Sequence, residues 1–291
     1  MYYVFLITAA LFTAGQFIFL KLFQKEQGES VFSASFFSAF VGITQMIFAF
    51  VVNGFKMSVS LFSVICAFIM AALVICNNIF GVKVMKMGKI SIYTLFLMSG
   101  GMVVPFFYGI LFLKETLKPL GVLSVALIIL ALLIPSFEKT DDKKTGSKKF
   151  YLLCFVLFLV NGTVSSVIKT HQIGKNAVNS FEFLFWIAFF QAVISFAVIA
   201  ATKKDNRPLE IIKKKKPLLF CAGFGIVNGL SSFLQFFSAA HVNASVQFPI
   251  LTGGSIVFSA LLAYLFFKEK LNKYTVLSII TAFLATCLFL F

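Results

Sequence analysis

The sequence predicts an all-α integral membrane protein with ten transmembrane helices, arranged as two inverted five-helix repeats. Three observations carry that expectation. Of 291 residues, 60% are hydrophobic and only 12% charged, with a mean hydropathy of +1.01. A water-soluble domain carries about 25% charged residues, and a chain this size cannot hide so much apolar surface from water. The apolar residues also come in long unbroken blocks rather than in alternation, which argues for helices over barrel strands. Finally, the two halves of the chain match each other in register.

The blocks fall at about 3–23, 31–52, 59–82, 90–113, 120–136, 150–168, 181–201, 217–240, 244–267 and 273–291. Most reach the roughly 20 residues that a spanning helix needs. The shortest, 120–136 and 273–291, still extend about 25–29 Å at about 1.5 Å per residue. Met1–Phe23 has no cationic lead and no small-residue cleavage site, so it is expected to be the first span rather than a signal peptide. A charged stretch bisects the chain. It divides a first repeat at 1–137 from a cytoplasmic linker at 138–149 and a second repeat at 150–291. Lys203–Lys216 is the most basic stretch and is expected to lie against anionic lipid headgroups.

The repeat is visible without a gap. At an offset of 154, Leu97 aligns with Leu251, Gly100 with Gly254, Val103 with Val257, Lys114-Glu115 with Lys268-Glu269, and Val122-Leu123-Ser124 with Val276-Leu277-Ser278. Shared apolarity alone would not place a Lys-Glu pair and a glycine in phase. Nearer the start of each half, Tyr3 and Lys21 match Tyr151 and Lys169 at an offset of 148. Five spans per half is an odd number, so the second half enters the membrane from the opposite side. Inverted repeats are a design of secondary transporters, with the substrate near the midplane.

On these features the chain resembles the EamA-type, ten-helix branch of the drug/metabolite transporter superfamily. The resemblance rests on ten spans, two five-span halves, a Glu after the fourth and ninth spans (Glu115, Glu269) and a small residue in each following helix (Ser124, Ser278). One departure is clear. Met102 and Ile256 stand where such repeats often carry proline, and Gly100-Gly101 and Gly253-Gly254 lie just before them. The resemblance implies a secondary transporter. It leaves the cargo open among amino acids, sugars, nucleotide derivatives, cations and drugs.

The net charge of +15 would suggest nucleic acid in a soluble protein. Here the cations flank hydrophobic blocks, so no nucleic-acid partner is expected. Twenty of the 25 basic residues fall on the side opposite the termini. The positive-inside rule places that side in the cytoplasm and both termini outside it, in a plasma (inner) membrane. The resemblance implies the reverse orientation.

The ten acidic residues all fall in loops or at block ends. A mid-span carboxylate would mark a proton relay or a cation site, and none is present. The five cysteines have no metal-ligand spacing, and there is no GxxxxGK[ST] phosphate loop. No catalytic group, metal or cofactor is therefore expected, and the chain does not read as an enzyme. His171 reads as interfacial, and His241 as a satisfied or solvated histidine, with a gate near the pore mouth as the alternative.

The interior polar residues are neutral. Gln16, Asn77, Asn78, Tyr93, Asn161, Asn228, Ser232, Gln235 and Gln247 are the candidates for a substrate cavity, with Gln45 and Gln191 in the same inventory. Asn228, Ser231, Ser232 and Gln235 follow i, i+3, i+4, i+7 and form one helical stripe. That stripe is either a cavity wall or interhelical glue. Gly100, Gly101, Gly253 and Gly254 are hinge candidates, with close helix packing as the alternative. Glu115 and Glu269 are expected to favour the N-terminus of the helix that follows each of them. The reading is a transporter of a small neutral or zwitterionic polar metabolite, an amino acid first, working by alternating access. The alternatives are a proton-coupled drug or cation exporter and a lipid-handling membrane protein. A homodimer remains open.

Overall fold

The computed structural model describes residues 2–28, 30–114, 119–137, 147–201, 214–239, 244–269 and 271–288. They form α1 (Tyr2–Gln27), α2 (Val31–Val52), α3 (Leu61–Met87), α4 (Ile90–Leu113), α5 (Pro119–Leu133), α6 (Lys148–Ile173), α7 (Ser180–Ala201), α8 (Lys215–Ala239), α9 (Ala244–Phe267) and α10 (Lys273–Leu288). A 3-10 turn, Ile134–Phe137, continues α5. Eight helices are long and apolar enough to cross a membrane. The other two, α5 with 15 residues and α10 with 16, reach about 22–24 Å. Most of the bisecting linker and Lys203–Lys213 lie outside the described residues, as do Glu115 and His241.

Helix ends follow local chemistry. Ser30 caps α2 by accepting the Ser33 N–H, Ser147 caps α6 by accepting from Phe150, and Asn272 caps α10 by accepting from Thr275. Helices α3 and α6 run past their predicted ends at 82 and 168. Lys83, Lys86, Lys169 and His171 are therefore helical rather than in connectors. Lysine is a good helix former, and a cation suits the last turn of a helix. Two lysines stop their helices in the same way. Lys114 after α4 and Lys268 after α9 both adopt left-handed backbone, with φ of 55° and 53°. The Lys-Glu signature shared by the two halves is thus, at its lysine, a helix-terminating turn.

The described chain forms two compact units. Unit 1 comprises Met1–Gly15, Val84–Ser166 and Ser231–Phe291; unit 2 comprises Gln16–Lys83 and Val167–Leu230. Each draws on both halves of the sequence. In unit 1, α4 packs on α9 and α5 on α10; in unit 2, α2 packs on α7. These are helices that hold the same place in the two halves.

Glycine sets the closest approaches. In unit 1 a Cβ on Gly100 would overlap the Phe158 carbonyl oxygen, so α4 and α6 meet backbone to backbone there. Its repeat mate Gly254 lies against Ala10, where a Cβ would come 2.9 Å from the alanine methyl. Phe158 and Ala10 are themselves 148 positions apart, so the two crossings are equivalent. Asn161 and Ser165 crowd Gly101, and Thr286 crowds Gly253. In unit 2, Gly42 brings α2 against the Ala188 carbonyl of α7, 2.9 Å from where its Cβ would stand. All these glycines lie in continuous helix.

Candidate functional site

Unit 2 contains a group of amides from three helices. Gln16 on α1 and Gln45 on α2 are buried, and Asn228 on α8 is half-buried. Asn228 Nδ2 donates to Gln16 Oε1, and Gln45 Nε2 donates to Asn228 Oδ1 at 2.8 Å. Asn228 is the fourteenth of the 25 residues of α8, and Gln16 the fifteenth of the 26 of α1. The group therefore sits halfway along its helices.

Local sequence explains why these side chains meet. Gly225 and Gly229 flank Asn228 as a G-x-x-x-G pair on α8. A Cβ on Gly225 would lie 2.8 Å from Thr44 Cβ, and one on Gly229 would lie 2.7 Å from the Phe48 ring. The two glycines thus draw α2 onto α8 and bring Gln45 within bonding distance of Asn228. Phe37 closes edge-on over Phe224 at 5.0 Å, one turn away from the amides. The glycine pair is a readable sequence signal that the polar inventory passed over.

A carboxamide offers two donors and a two-lone-pair acceptor. Among the described residues, Gln16 Nε2 and Gln45 Oε1 have no partner. The group therefore presents one spare donor side and one spare acceptor side. A second polar node lies in the same unit. Gln191 Nε2 on α7 donates to the Ser38 carbonyl at 3.0 Å and to Ser38 Oγ at 3.2 Å; Asn78 Nδ2 on α3 donates to the same Oγ at 3.0 Å. The Oδ1 of Asn77 and the hydroxyls of Ser35 and Ser195 are buried without a hydrogen bond. Ser38, which links α2, α3 and α7, was absent from the sequence inventory. A lone serine in an apolar block carries no pattern that marks it.

The other sequence candidates fall elsewhere. Tyr93, Asn161, Ser232 and Gln235 belong to unit 1. Tyr93 is buried. Asn161 Nδ2 donates to the Leu97 carbonyl at 2.7 Å, and Gln235 Nε2 donates to Ser231 Oγ at 2.9 Å. Ser231 also bonds Thr13 Oγ1 at 2.7 Å and the Ala9 carbonyl at 2.8 Å. The α8 stripe is thus divided: Asn228 joins the amide group, while Ser231, which accepts from Gln235 on its own helix, holds α8 to α1. Gln247 lies on α9, and its side chain is outside the described residues.

One expectation needs correction. Glu269 does not cap the following helix α10, whose cap is Asn272. Its carboxylate instead accepts the Ile90 N–H at 2.9 Å and the Ser91 N–H at 3.5 Å, so it caps α4. The left-handed turn at Lys268 redirects the chain just before that carboxylate. His171, in the last turn of α6, is buried inside the protein at 4% exposed. Its ring stacks on Phe183 at 3.6 Å, lies parallel to Phe62, and bonds Ser63 Oγ through Nε2 at 3.0 Å. An aromatic slot and one hydroxyl thus surround the imidazole.

Glu182 is a buried acid at the start of α7. Asn179 Oδ1 accepts the Glu182 N–H at 2.9 Å, and Glu182 Oε2 accepts the Asn179 N–H at 3.3 Å, a reciprocal capping box. Ser58 Oγ also donates to this carboxylate, and Asn53 Nδ2 does so at 3.5 Å. The acid therefore tethers the α2–α3 connector to α7. Among the described residues, no cluster of three or more His, Cys, Asp or Glu side chains could hold a metal.

Comparison with known proteins agrees with this architecture. A solved structure titled only "Crystal structure of protein" shares the fold across 99% of this chain and 95% of its own, with a TM-score of 0.65 at 13% identity. No curated protein matches in sequence. The family model for the EamA-like transporter family matches residues 149–291. The helical bundle and that match over the second half of the chain are consistent with a membrane transporter of the drug/metabolite type, and residues 149–291 resemble the EamA-like transporter family.

Proposed function

We propose that the protein moves a small neutral or zwitterionic polar metabolite, an amino acid or close analogue, across the plasma membrane by alternating access, with unit 2 holding the cargo. One observation carries this reading: the spare donor of Gln16 and the spare acceptor of Gln45 on either side of Asn228. Hydrocarbon penalises an unused amide, so idle amide groups halfway along spanning helices imply that water or cargo reaches them. A zwitterion needs donors and acceptors together, whereas a lone cation needs acceptors only. Asn77, Asn78 and Gln191 extend the same polar interior. Nothing in the sequence supplies an ATP motor, so flux follows the cargo gradient or an exchange partner. Helices α4 and α9, crossed at Gly100-Gly101 and Gly253-Gly254, are the elements about which the halves rock. The excess of basic residues on one side puts both termini outside the cytoplasm.

Proton-coupled export of a cation is the second reading, and buried Glu182 favours it. The first reading is preferred because Glu182 already serves a helix cap at one end of α7. The test is uptake into proteoliposomes against amino acids, nucleosides, sugars and organic cations, with and without a pH gradient. Saturable uptake of one neutral or zwitterionic class is expected, indifferent to the gradient. Asn228→Ala should lower it about tenfold, which is about 1.4 kcal/mol and matches the loss of a buried partner. Uptake confined to cations, driven by protons and abolished by Glu182→Gln, would overturn the first reading in favour of the second.

A further inference from the structure

Unit 1 has two apolar crevices of about 470 and 510 Å³. The first lies among α4, α5 and α6, the second among α1, α9 and α10. They are images of one another under the repeat. Tyr151 of the first corresponds to Tyr3 of the second at an offset of 148; Val103 corresponds to Val257 and Ile129 to Phe283 at 154. Seven of the eight residues lining the first have their repeat mate in the second. Side-chain identity is not kept across most of these pairs, but the hollow is. A void formed twice by different side chains follows from the helix crossings and is not a local packing fault.

The crevices open outward. Ile129 at the first is 48% exposed and Ile7 at the second 50% exposed, and the walls are apolar apart from hydroxyl or thiol groups. At this depth a spanning helix is surrounded by acyl chains, and an apolar void left empty forfeits its dispersion contacts. Each crevice has a tyrosine in the first turn of a helix, the place where a phenol sits at headgroup level. An odd number of helices separates the start of α1 from the start of α6. The two tyrosines therefore face opposite leaflets.

The first site carries lysines at its rim. On α6, Lys148, Tyr151, Phe155 and Phe158 follow i, i+3, i+7, i+10 and share one face, with Lys148 a turn outside the crevice. Lys148 and its neighbour Lys149 are exposed. The Phe150 ring packs on Gly88, which brings Lys89 to the same end. In the second site, the corresponding stripe of α1 has Tyr3 and Ile7, with Tyr2 beside them.

We propose that both crevices seat a phospholipid acyl chain, one in each leaflet, and that the α4–α5–α6 crevice selects an anionic phospholipid through Lys148 and Lys149. The inference rests on the membrane embedding and is independent of the cargo. The test uses full-length protein in vesicles containing phosphatidylglycerol or phosphatidylcholine with a photoactivatable acyl chain, and the adducts are mapped by peptide mass spectrometry. Labelling should concentrate on the α5–α6 and α9–α10 crevice walls. At the first crevice, phosphatidylglycerol should exceed phosphatidylcholine about fivefold, the effect of one lysine near an anionic surface. The Lys148→Gln/Lys149→Gln variant, altered only at exposed positions, should lose that preference while labelling at the second crevice stays unchanged. Labelling spread evenly over all lipid-facing helices would overturn the proposal. So would a preference that survives the double substitution, or loss of label when a transported amino acid is added, which would make the crevice a cargo path.

Discussion

Unit 1 and unit 2 contain similar numbers of buried polar residues but use them differently. In unit 1 the buried polar side chains are hydroxyls; some bond to carbonyls of their own helix, as Thr94 does to Ile90, Ser124 to Leu120 and Thr286 to Ala282, and others to a neighbouring helix, as Ser278 does to Ala131. A hydroxyl has one hydrogen, and a carbonyl one turn back can take it. In unit 2 buried glutamines stand beside buried serines, and amides reach between helices at Gln16–Asn228–Gln45 and at Ser38–Gln191–Asn78. An amide cannot satisfy both donors and its acceptor on its own helix. On the proposed function, the kind of polar group, more than its presence in a span, marks where a solute is met.

The largest effect is expected where the two crossings of unit 1 are challenged. Gly100→Ala meets the backbone of Phe158, which cannot yield, and should cost about 3 kcal/mol, the upper end for overpacking. Gly254→Ala meets only the Ala10 methyl and should cost about 1 kcal/mol. Thermal unfolding of the purified protein would rank them, and an equal loss would break the argument for backbone contact at Gly100. Next is a pair of amide variants that sharpens the comparison between units. Asn228→Ala should lower flux per folded molecule about tenfold, beyond the loss of about 1–3 kcal/mol of stability from leaving the Gln16 and Gln45 amides unpaired. Asn161→Ala, which removes a bond to the Leu97 carbonyl, should lower stability by about 1 kcal/mol and leave flux per folded molecule unchanged. A smaller effect attaches to Glu269→Gln. It keeps an acceptor for the Ile90 N–H but removes the charge from the N-terminus of α4, a loss of about 0.3–1 kcal/mol that shrinks as salt rises. The smallest belongs to Ser124→Ala, where a hydroxyl bonded to its own helix is removed; the change should stay within about 0.5 kcal/mol.

Much of the fold is legible in the sequence because hydrophobic blocks of spanning length have few readings. The matches Gly100 with Gly254 and Lys114 with Lys268 mark equivalent crossings and equivalent left-handed helix ends, and both pairs can be aligned by eye. The site is less legible. Asn228, Gln16 and Asn78 are found by asking which span residues hydrocarbon would penalise, but the same question also selects Tyr93, Asn161 and Gln235. Sequence shows that a group is polar, not whether a neighbour has already satisfied it. Gly225 and Gly229 carry a usable signal, since small residues four apart beside an amide predict which helix comes close. Glu269 shows the opposite limit. Its partner Ile90 lies 179 positions away, and nothing near Glu269 in the chain points to α4.

The central claim is that cargo is held by the amides of unit 2 and not by the polar residues of unit 1. Equilibrium binding of the transported metabolite to protein in nanodiscs tests it most directly, comparing the wild type with Gln45→Ala and Asn161→Ala, each checked for folding. The account predicts that Gln45→Ala raises Kd about tenfold, while Asn161→Ala leaves Kd within about twofold of the wild type. Unchanged affinity in Gln45→Ala, with binding lost in a folded Asn161→Ala variant, would contradict it and move the site into unit 1.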